Sequence, residues 1–242
     1  MRSLLMHAYY IAKKDLKEYY MKPGTISWGL LFPVVFTAAF LIKRGVYSAW
    51  VAPDQLALSV FFSSTSMTGS SIVFERRFGS FERLLLFPMR LIAVALGKSL
   101  GGTLFGLISS VISMTVIYLM TGATPTHPGL LAATVILTAV QASAFGALLA
   151  FLVRDPSNIM TTFNLVRLPM IFLSGIIVPV TQLPLVLKPV AYALPLTYSA
   201  ELMRYAYLGQ SEMPPALSAT VIVLQAVAFL LLTDYIIRKS IP

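Results

Sequence analysis

The sequence predicts an all-α membrane protein with six transmembrane helices and both termini in the cytoplasm. Two observations carry this: composition and the placement of charge. Of the 242 residues, 57% are hydrophobic and only 11% are charged, whereas soluble domains carry roughly 25% charged residues. Mean hydropathy is +0.83, so lipid rather than water must solvate much of the surface. The net charge of +9 would suggest nucleic acid in a soluble protein. Here it follows membrane sidedness, and no nucleic-acid partner is expected. Cysteine is absent, which excludes disulfides, thiolate metal sites and a cysteine nucleophile. Residues 1–24 hold five Lys or Arg, two acids and no uninterrupted apolar core, unlike a cleaved leader.

A helix needs about 20 apolar residues to cross the hydrocarbon, because its backbone polar groups must be paired within the segment. Six stretches qualify. The first, 25–42, opens after Pro23-Gly24 and closes at Lys43-Arg44; the second, 56–74, is rich in Ser and Thr and stops at Glu75. No fixed charge occurs between Lys98 and Arg154. That run is too long for one crossing and is broken by Pro125 and Pro128, so it reads as a hairpin of spans 100–120 and 130–153. The fifth span is 159–180 and the sixth is 216–237, followed by Arg238-Lys239. With the N-terminus inside, 13 of the 18 Lys and Arg fall on the cytoplasmic side and only Lys43, Arg44, Lys188 and Arg204 outside. This bias fixes the expected orientation.

Three pieces do not span. Residues 1–22 carry Leu5, Tyr9, Ala12, Leu16 and Tyr19 at helical spacing, with Lys13, Lys14, Lys17 and Glu18 opposite. They predict a helix lying in the headgroup plane with its lysines toward anionic lipid, and Asp15 and Glu18 as partners for those lysines. The cytoplasmic segment 75–88 mixes Glu75, Arg76, Arg77, Glu82 and Arg83 with Phe78, Phe81 and Leu85. Those three apolar residues fall on one face of a short amphipathic helix, which would lie along the membrane or dock into another protein. Gly79 permits a turn and Pro88 ends or restarts the helix. In 172–204, Pro179, Pro184, Pro189 and Pro195 interrupt a largely apolar stretch. The expectation is a set of short outer re-entrant helices at about 181–200, with Glu201 and Arg204 paired one turn apart.

Enzymatic chemistry is not expected. Gly97-Lys98-Ser99 lacks the glycine of a phosphate loop, since Ile92 stands at that position. The two histidines, His7 and His127, are predicted on opposite sides, so no metal site is expected. Arg167 is the charge out of place. It lies about 13 Å into its span at 1.5 Å per residue, where insertion costs about 2.5–3.5 kcal/mol. It should face a bundle interior, a water-filled path or a partner, with Pro169 freeing a carbonyl for it. Gly97-x-x-x-Gly101 and Gly102-x-x-x-Gly106 mark the third span as closely packed, either within the chain or across a dimer.

Taken in order, these motifs resemble the type-2 permeases of ATP-binding-cassette exporters. The matching segments are Glu75-Arg-Arg-Phe-Gly-Ser-Phe-Glu-Arg-Leu-Leu-Leu-Phe-Pro88, Gly97-Lys98, Phe172-Leu-Ser-Gly-Ile-Ile-Val-Pro179 with Leu183-Pro184, and Leu194-Pro-Leu-Thr-Tyr198 with Glu201 and Arg204. Phe87 departs from the small polar residue many members place before the proline, and Arg167 is not a family hallmark. The resemblance implies a single permease domain over 1–242 in the cell membrane. Its 75–88 segment would be the coupling helix, with Glu75, Arg76, Arg77, Phe78, Gly79, Phe81, Glu82, Arg83 and Leu85 contacting a separate ATPase subunit that binds ATP and Mg. The chain itself would hold no cofactor and would pair with a second copy. Arg167, Pro179, Pro195, Tyr198, Glu201 and Arg204 are the expected gate and substrate-path residues. The implied function is outward transport of a hydrophobic or amphiphilic substrate such as a drug, lipid or glycan-lipid. The alternative is a six-span carrier or channel without ATP; it would want a buried acid, and Asp234 alone lies within a predicted span, near its cytoplasmic end.

Overall fold

A computed structural model describes residues 2–19, 51–87, 91–153 and 155–240, with positions 31, 35, 38 and 39. The predicted first span lies outside the described residues apart from those four positions, as do Pro88 and the side chains of Glu82 and Leu85. Every regular element among the described residues is helical: α1 (Arg2–Tyr19), α2 (Ala52–Arg77), α3 (Ser80–Leu85), α4 (Leu91–Thr121), α5 (Pro128–Leu152), α6 (Ile159–Leu173), α7 (Lys188–Ala193), α8 (Pro195–Leu208) and α9 (Pro215–Ser240). Four of these, α2, α4, α5 and α9, are long and apolar enough to cross a membrane. Prolines open α5, α8 and α9 within their first turn, where the missing N–H costs nothing.

Two predicted boundaries move. Helix α4 starts at Leu91 instead of 100, because nothing between 91 and 100 breaks it and Gly97 is tolerated within it; Lys98 therefore lies two turns inside a helix. Helix α6 stops at Leu173, only 15 residues long. Ser174 caps it and Gly175 turns the chain at φ +85°, a conformation that glycine adopts without strain. The predicted fifth span thus ends seven residues early. The hairpin between α4 and α5 forms as expected, and it is pinned to the end of α8. Thr126 and His127 N–H donate to the Tyr207 and Ala206 carbonyls (3.0 and 2.9 Å), and the Tyr207 hydroxyl donates to Ala123 O (2.9 Å).

Helix α2 is the hub, packed by α4, α5, α8 and α6 and touched by α1, and it is buried around its whole circumference. Yet residues 59–71 hold eight Ser or Thr. Their hydroxyls are satisfied mainly along the helix: Thr65 donates to Phe61 O (2.7 Å), Thr68 to Ser64 O and Ser71 to Thr68 O (both 3.0 Å). Such back-bonding lets a polar helix sit in a dry environment. Small side chains then allow close approach. A Cβ on Gly102 would meet Ser64 O at 2.7 Å, and one on Gly146 would meet Thr65 Cα at 3.0 Å. Gly106 faces the Ser64 side chain, while Gly97 and Gly101 face Ile11 and Asp15 of α1. The paired small-residue motifs of α4 are therefore internal contacts.

The amphipathic first helix forms, and part of the apolar face expected at the headgroup interface packs on the bundle instead. Ala8, Ile11, Ala12, Asp15 and Tyr19 are buried, whereas Leu5 and Tyr9 are exposed. Across the bundle, Ser199 of α8 donates to Gln141 Oε1 of α5 (2.8 Å), and Gln141 donates to Gln225 of α9 (2.6 Å).

Gly102→Leu is expected to cost about 1–3 kcal/mol through overpacking against the Ser64 carbonyl, read as a lowered midpoint of thermal unfolding in detergent; an unchanged midpoint would show that α2 and α4 can separate freely.

Candidate functional site

Three polar sites share α2: one at each end and one midway. Glu75 lies 21 positions beyond Asp54, about 31 Å at 1.5 Å per residue, which is close to the thickness of a bilayer's hydrocarbon core.

At the Glu75 end, three helices meet through buried charge. Lys98 Nζ of α4 donates to Asp15 Oδ1 and Oδ2 of α1 (3.0 and 2.9 Å) and lies 2.6 Å from Glu75 Oε2 of α2. Lys14 Nζ closes the cluster on Glu75 Oε1 at 2.5 Å. Lys98, Asp15 and Glu75 are all fully buried, and two acids against two lysines leave the cluster neutral. Burial, with the Glu75 charge beside it, holds the Asp15 carboxyl above the usual carboxylate range although Lys98 draws it down. Arg76 donates to the Ala150 and Val153 carbonyls at the end of α5 (3.1 and 2.6 Å). These contacts change three expectations. Asp15 pairs chiefly with Lys98 and not with the lysines of its own helix. Glu75 and Arg76 face the chain's own interior and are not presented at a docking rim. Lys98, counted as a loop charge, is a buried tertiary partner; having no acid within four positions of it in the sequence was the available signal.

The segment that follows Glu75 is an elbow. Gly79 adopts φ +65° and starts α3, so Phe78 closes α2 and does not share a helical face with Phe81. Phe78 is 70% exposed and stacks on Phe74. Phe81 is 9% exposed and packs with Ile11, Val94 and Phe151, so it anchors the elbow from inside. Arg77, Arg83, Leu86 and Phe87 are outward-facing.

At the Asp54 end, Arg204 of α8 makes a bidentate pair with Asp54 (Nε–Oδ1 2.7 Å, Nη2–Oδ2 3.0 Å) and a further contact with Glu201 Oε1 (2.6 Å). It also donates to the Gly175 carbonyl, which joins the end of α6 to the start of α2. Glu201 Oε2 accepts from the backbone N–H of Glu212 (2.7 Å) and Met213 (3.3 Å). The pair expected between Glu201 and Arg204 exists, and it belongs to a larger node whose member Asp54 sequence reading missed. Tyr198 sits two turns earlier, its hydroxyl donating to Tyr192 O (2.8 Å). Pro179 precedes the short 3-10 helix Val180–Gln182, and Pro195 opens α8.

Arg167 of α6 stands apart from both. It is 3% exposed and reaches the middle of α2, where Nη1 donates to Ser66 Oγ (2.7 Å), Thr65 Oγ1 (2.9 Å) and Phe62 O (3.3 Å). Nε donates to Phe163 O (3.3 Å), so its carbonyl partners are on α2 and on its own preceding turn, and neither is the one freed by Pro169. Phe62 and Phe163 place their rings 4.9 and 5.0 Å from the guanidinium, a favourable cation–π arrangement. Beside it opens a cleft of about 300 Å³ lined by Ser66, Ser70, Phe74, Met160, Thr161 and Asn164. Among the described residues, no group of His, Cys, Asp and Glu is placed to hold a metal ion.

Removing Lys98 strands two buried carboxylates. Lys98→Met is expected to destabilise by about 3–5 kcal/mol, and Asp15→Asn or Glu75→Gln added to it should restore part of the loss. Thermal unfolding of the single and double variants checks this; purely additive losses would show that no coupling exists.

The chain matches the model of the ABC-2 type transporter family over residues 8–208. It is 25% identical over 252 aligned positions to the inner membrane transport permease YadH of Escherichia coli strain K12, covering 98% of each chain. It is also 25% identical over 205 positions to Nodulation protein J of Rhizobium leguminosarum bv. viciae, covering 81% of this chain and 76% of that one. With several helices able to span a bilayer, this chain belongs to the ABC-2 type transporter family and is the multi-pass membrane component of an ABC transporter in the cytoplasmic membrane.

Proposed function

We propose that the chain is the membrane half of an ATP-driven exporter that moves a hydrophobic or amphiphilic substrate outward. In this reading it crosses six times with both termini cytoplasmic, works as two copies in contact with membrane lipid, and carries no catalytic residue. ATP and Mg belong to a separate ATPase subunit. The observation that carries the reading is the elbow of α2 and α3 beside the buried Lys98 cluster. Outward-facing Arg83, Leu86 and Phe87 offer a mixed apolar and cationic surface, as protein interfaces favour. The elbow is welded through Glu75, Lys98 and Asp15 to α1 and α4. A push on α3 would therefore be taken up by three helices at once and carried along α2 to the Arg204 node, in a rigid-body movement. The node joins α2 to α6 and α8 at the far end, where rearrangement would open an exit beside α7 and α8.

Leu86→Asp and Arg83→Glu should abolish co-purification of the ATPase subunit while leaving membrane insertion and thermal stability near wild type. Phe81→Asp should instead lower stability, because that ring is buried. Retained co-purification and ATP-coupled transport with both surface variants would overturn the docking assignment.

A further inference from the structure

We propose that the cleft beside Arg167 binds the acidic headgroup, phosphate or carboxylate, of an amphiphile, and that the transported substrate is an anionic amphiphile. The word substrate rests on the exporter reading; the binding site does not.

The argument starts from charge. Arg167 has five N–H donors, and its acceptors Ser66, Thr65, Phe62 O, Phe163 O and Asn164 are all neutral. No carboxylate lies within 4 Å of it among the described residues. Each acid whose side chain is described is engaged elsewhere: Asp15 and Glu75 with Lys98, Glu18 with Lys14, Asp54 and Glu201 with Arg204, and Asp234 with Arg238. Asp155 holds Ser157 and Glu212 holds Thr181. Residues 20–50 contain no Asp or Glu, so the segment outside the described residues brings none. A second copy of the chain adds none at that depth, because Asp54 and Glu75 mark the two ends of α2 and Asp234 lies near the end of α9. Glu82, whose side chain is not described, lies on α3 beyond the Glu75 end of α2, so no described carboxylate supplies the counter-charge and we assign that role to a bound anion.

The geometry says which edge is available. The two phenylalanine rings occupy the neighbourhood of the guanidinium, and Nε and Nη1 are committed to α2 and α6. Nη2 has two N–H groups and one long contact, to Asn164 Oδ1 at 3.4 Å. Asn164 lines the cleft together with the hydroxyls of Ser70 and Thr161, which are able to donate to an anion; Phe74 and Met160 supply apolar wall. Thr65 and Ser66 are midway between Asp54 and Glu75, so the cation lies near mid-bilayer, where a ligand arriving through lipid needs an apolar body. An anion paired with this guanidinium out of water gains most from charge-assisted hydrogen bonds.

The test titrates the purified permease in an uncharged maltoside detergent with dodecyl phosphate, dodecanol, dodecyltrimethylammonium and inorganic phosphate, reading the thermal midpoint. Dodecyl phosphate should bind saturably, one per chain, at least tenfold more tightly than dodecanol or the cationic amphiphile, and inorganic phosphate should not displace it. Arg167→Gln should weaken dodecyl phosphate at least tenfold and leave dodecanol unchanged, with Arg167→Lys between. Asn164→Ala retains the cation and should weaken the phosphate headgroup several-fold, which keeps the test decisive if Arg167→Gln does not fold. Equal affinity for dodecyl phosphate and dodecanol, or unaltered affinity in the variants, overturns the site. Full displacement by inorganic phosphate overturns the amphiphile class. In the assembled complex, dodecyl phosphate should stimulate ATP hydrolysis by wild type at a concentration at which Arg167→Lys, binding more weakly, is not stimulated. A phospholipid that co-purifies with wild type, is lost from Arg167→Lys and leaves ATP hydrolysis unaffected is a resident lipid and overturns the substrate assignment. The binding arm needs no ATPase subunit, so its outcome stands apart from any failure of the docking assignment.

Discussion

The structure depends on one constraint: a helix rich in hydroxyls and acidic near both ends must be buried on every side. Helix α2 cannot face lipid with Ser59, Ser63, Ser64, Thr65, Ser66, Thr68, Ser70 and Ser71 unpaired, because each bare polar group costs several kcal/mol in hydrocarbon, roughly 2–7 by transfer scales. Back-bonding to its own carbonyls satisfies many of them, and close neighbours exclude lipid from the rest. Gly102 and Gly106 on α4 and Gly146 on α5 exist in that light as the flat surfaces against which α2 lies. The more apolar helices α4, α5 and α9 carry the exposed apolar side chains Leu104, Ile108, Ile136, Leu224 and Leu231.

The charges at the ends of α2 follow from the same burial. A buried ion pair seldom gains much over a well-packed apolar replacement, but breaking one side of it is expensive. The Lys98 cluster is therefore better understood as setting geometry than as adding stability. It fixes the register of α1 and α4 against α2 at the point where the chain bends into α3. The Arg204 node does the same for α6 and α8 at the other end, using the carbonyl exposed by the Gly175 turn. Between them α2 is a strut with a firm attachment at each end, as the proposed transmission of displacement would require. Arg167 is different in kind: its contacts are neutral, and it sits beside open volume.

Much of this was legible in sequence because hydrophobic runs and breakers act locally. The hairpin at Pro125 and Pro128, the amphipathic character of α1, the turn at Gly79 and the pairing of Glu201 with Arg204 are all set by residues within a few positions of one another. Which residues of α1 pack was not legible. Leu5, Tyr9, Ala12 and Tyr19 share one apolar face by periodicity, yet only Ala12 and Tyr19 of these are buried, because hydrophobicity does not tell which positions meet protein. The burial of Glu75 and Phe81 was not legible for a related reason: in 75–88 charge and aromaticity look like a surface to be presented, and only the folded chain shows which members turn inward.

By itself, the sequence determined that this chain lives in a bilayer as packed helices, where α2, α5 and α9 start and stop to within a few residues, and that Arg167 needed an explanation. These are consequences of solvation and local backbone chemistry, which operate residue by residue. Tertiary structure alone decided the partners. Lys98 meets Asp15 across 83 positions and Arg204 meets Asp54 across 150, separations over which spacing carries no information. Electrostatic pairing in a low-dielectric interior is selective by geometry, and that geometry exists only once α2 has been enclosed by its neighbours.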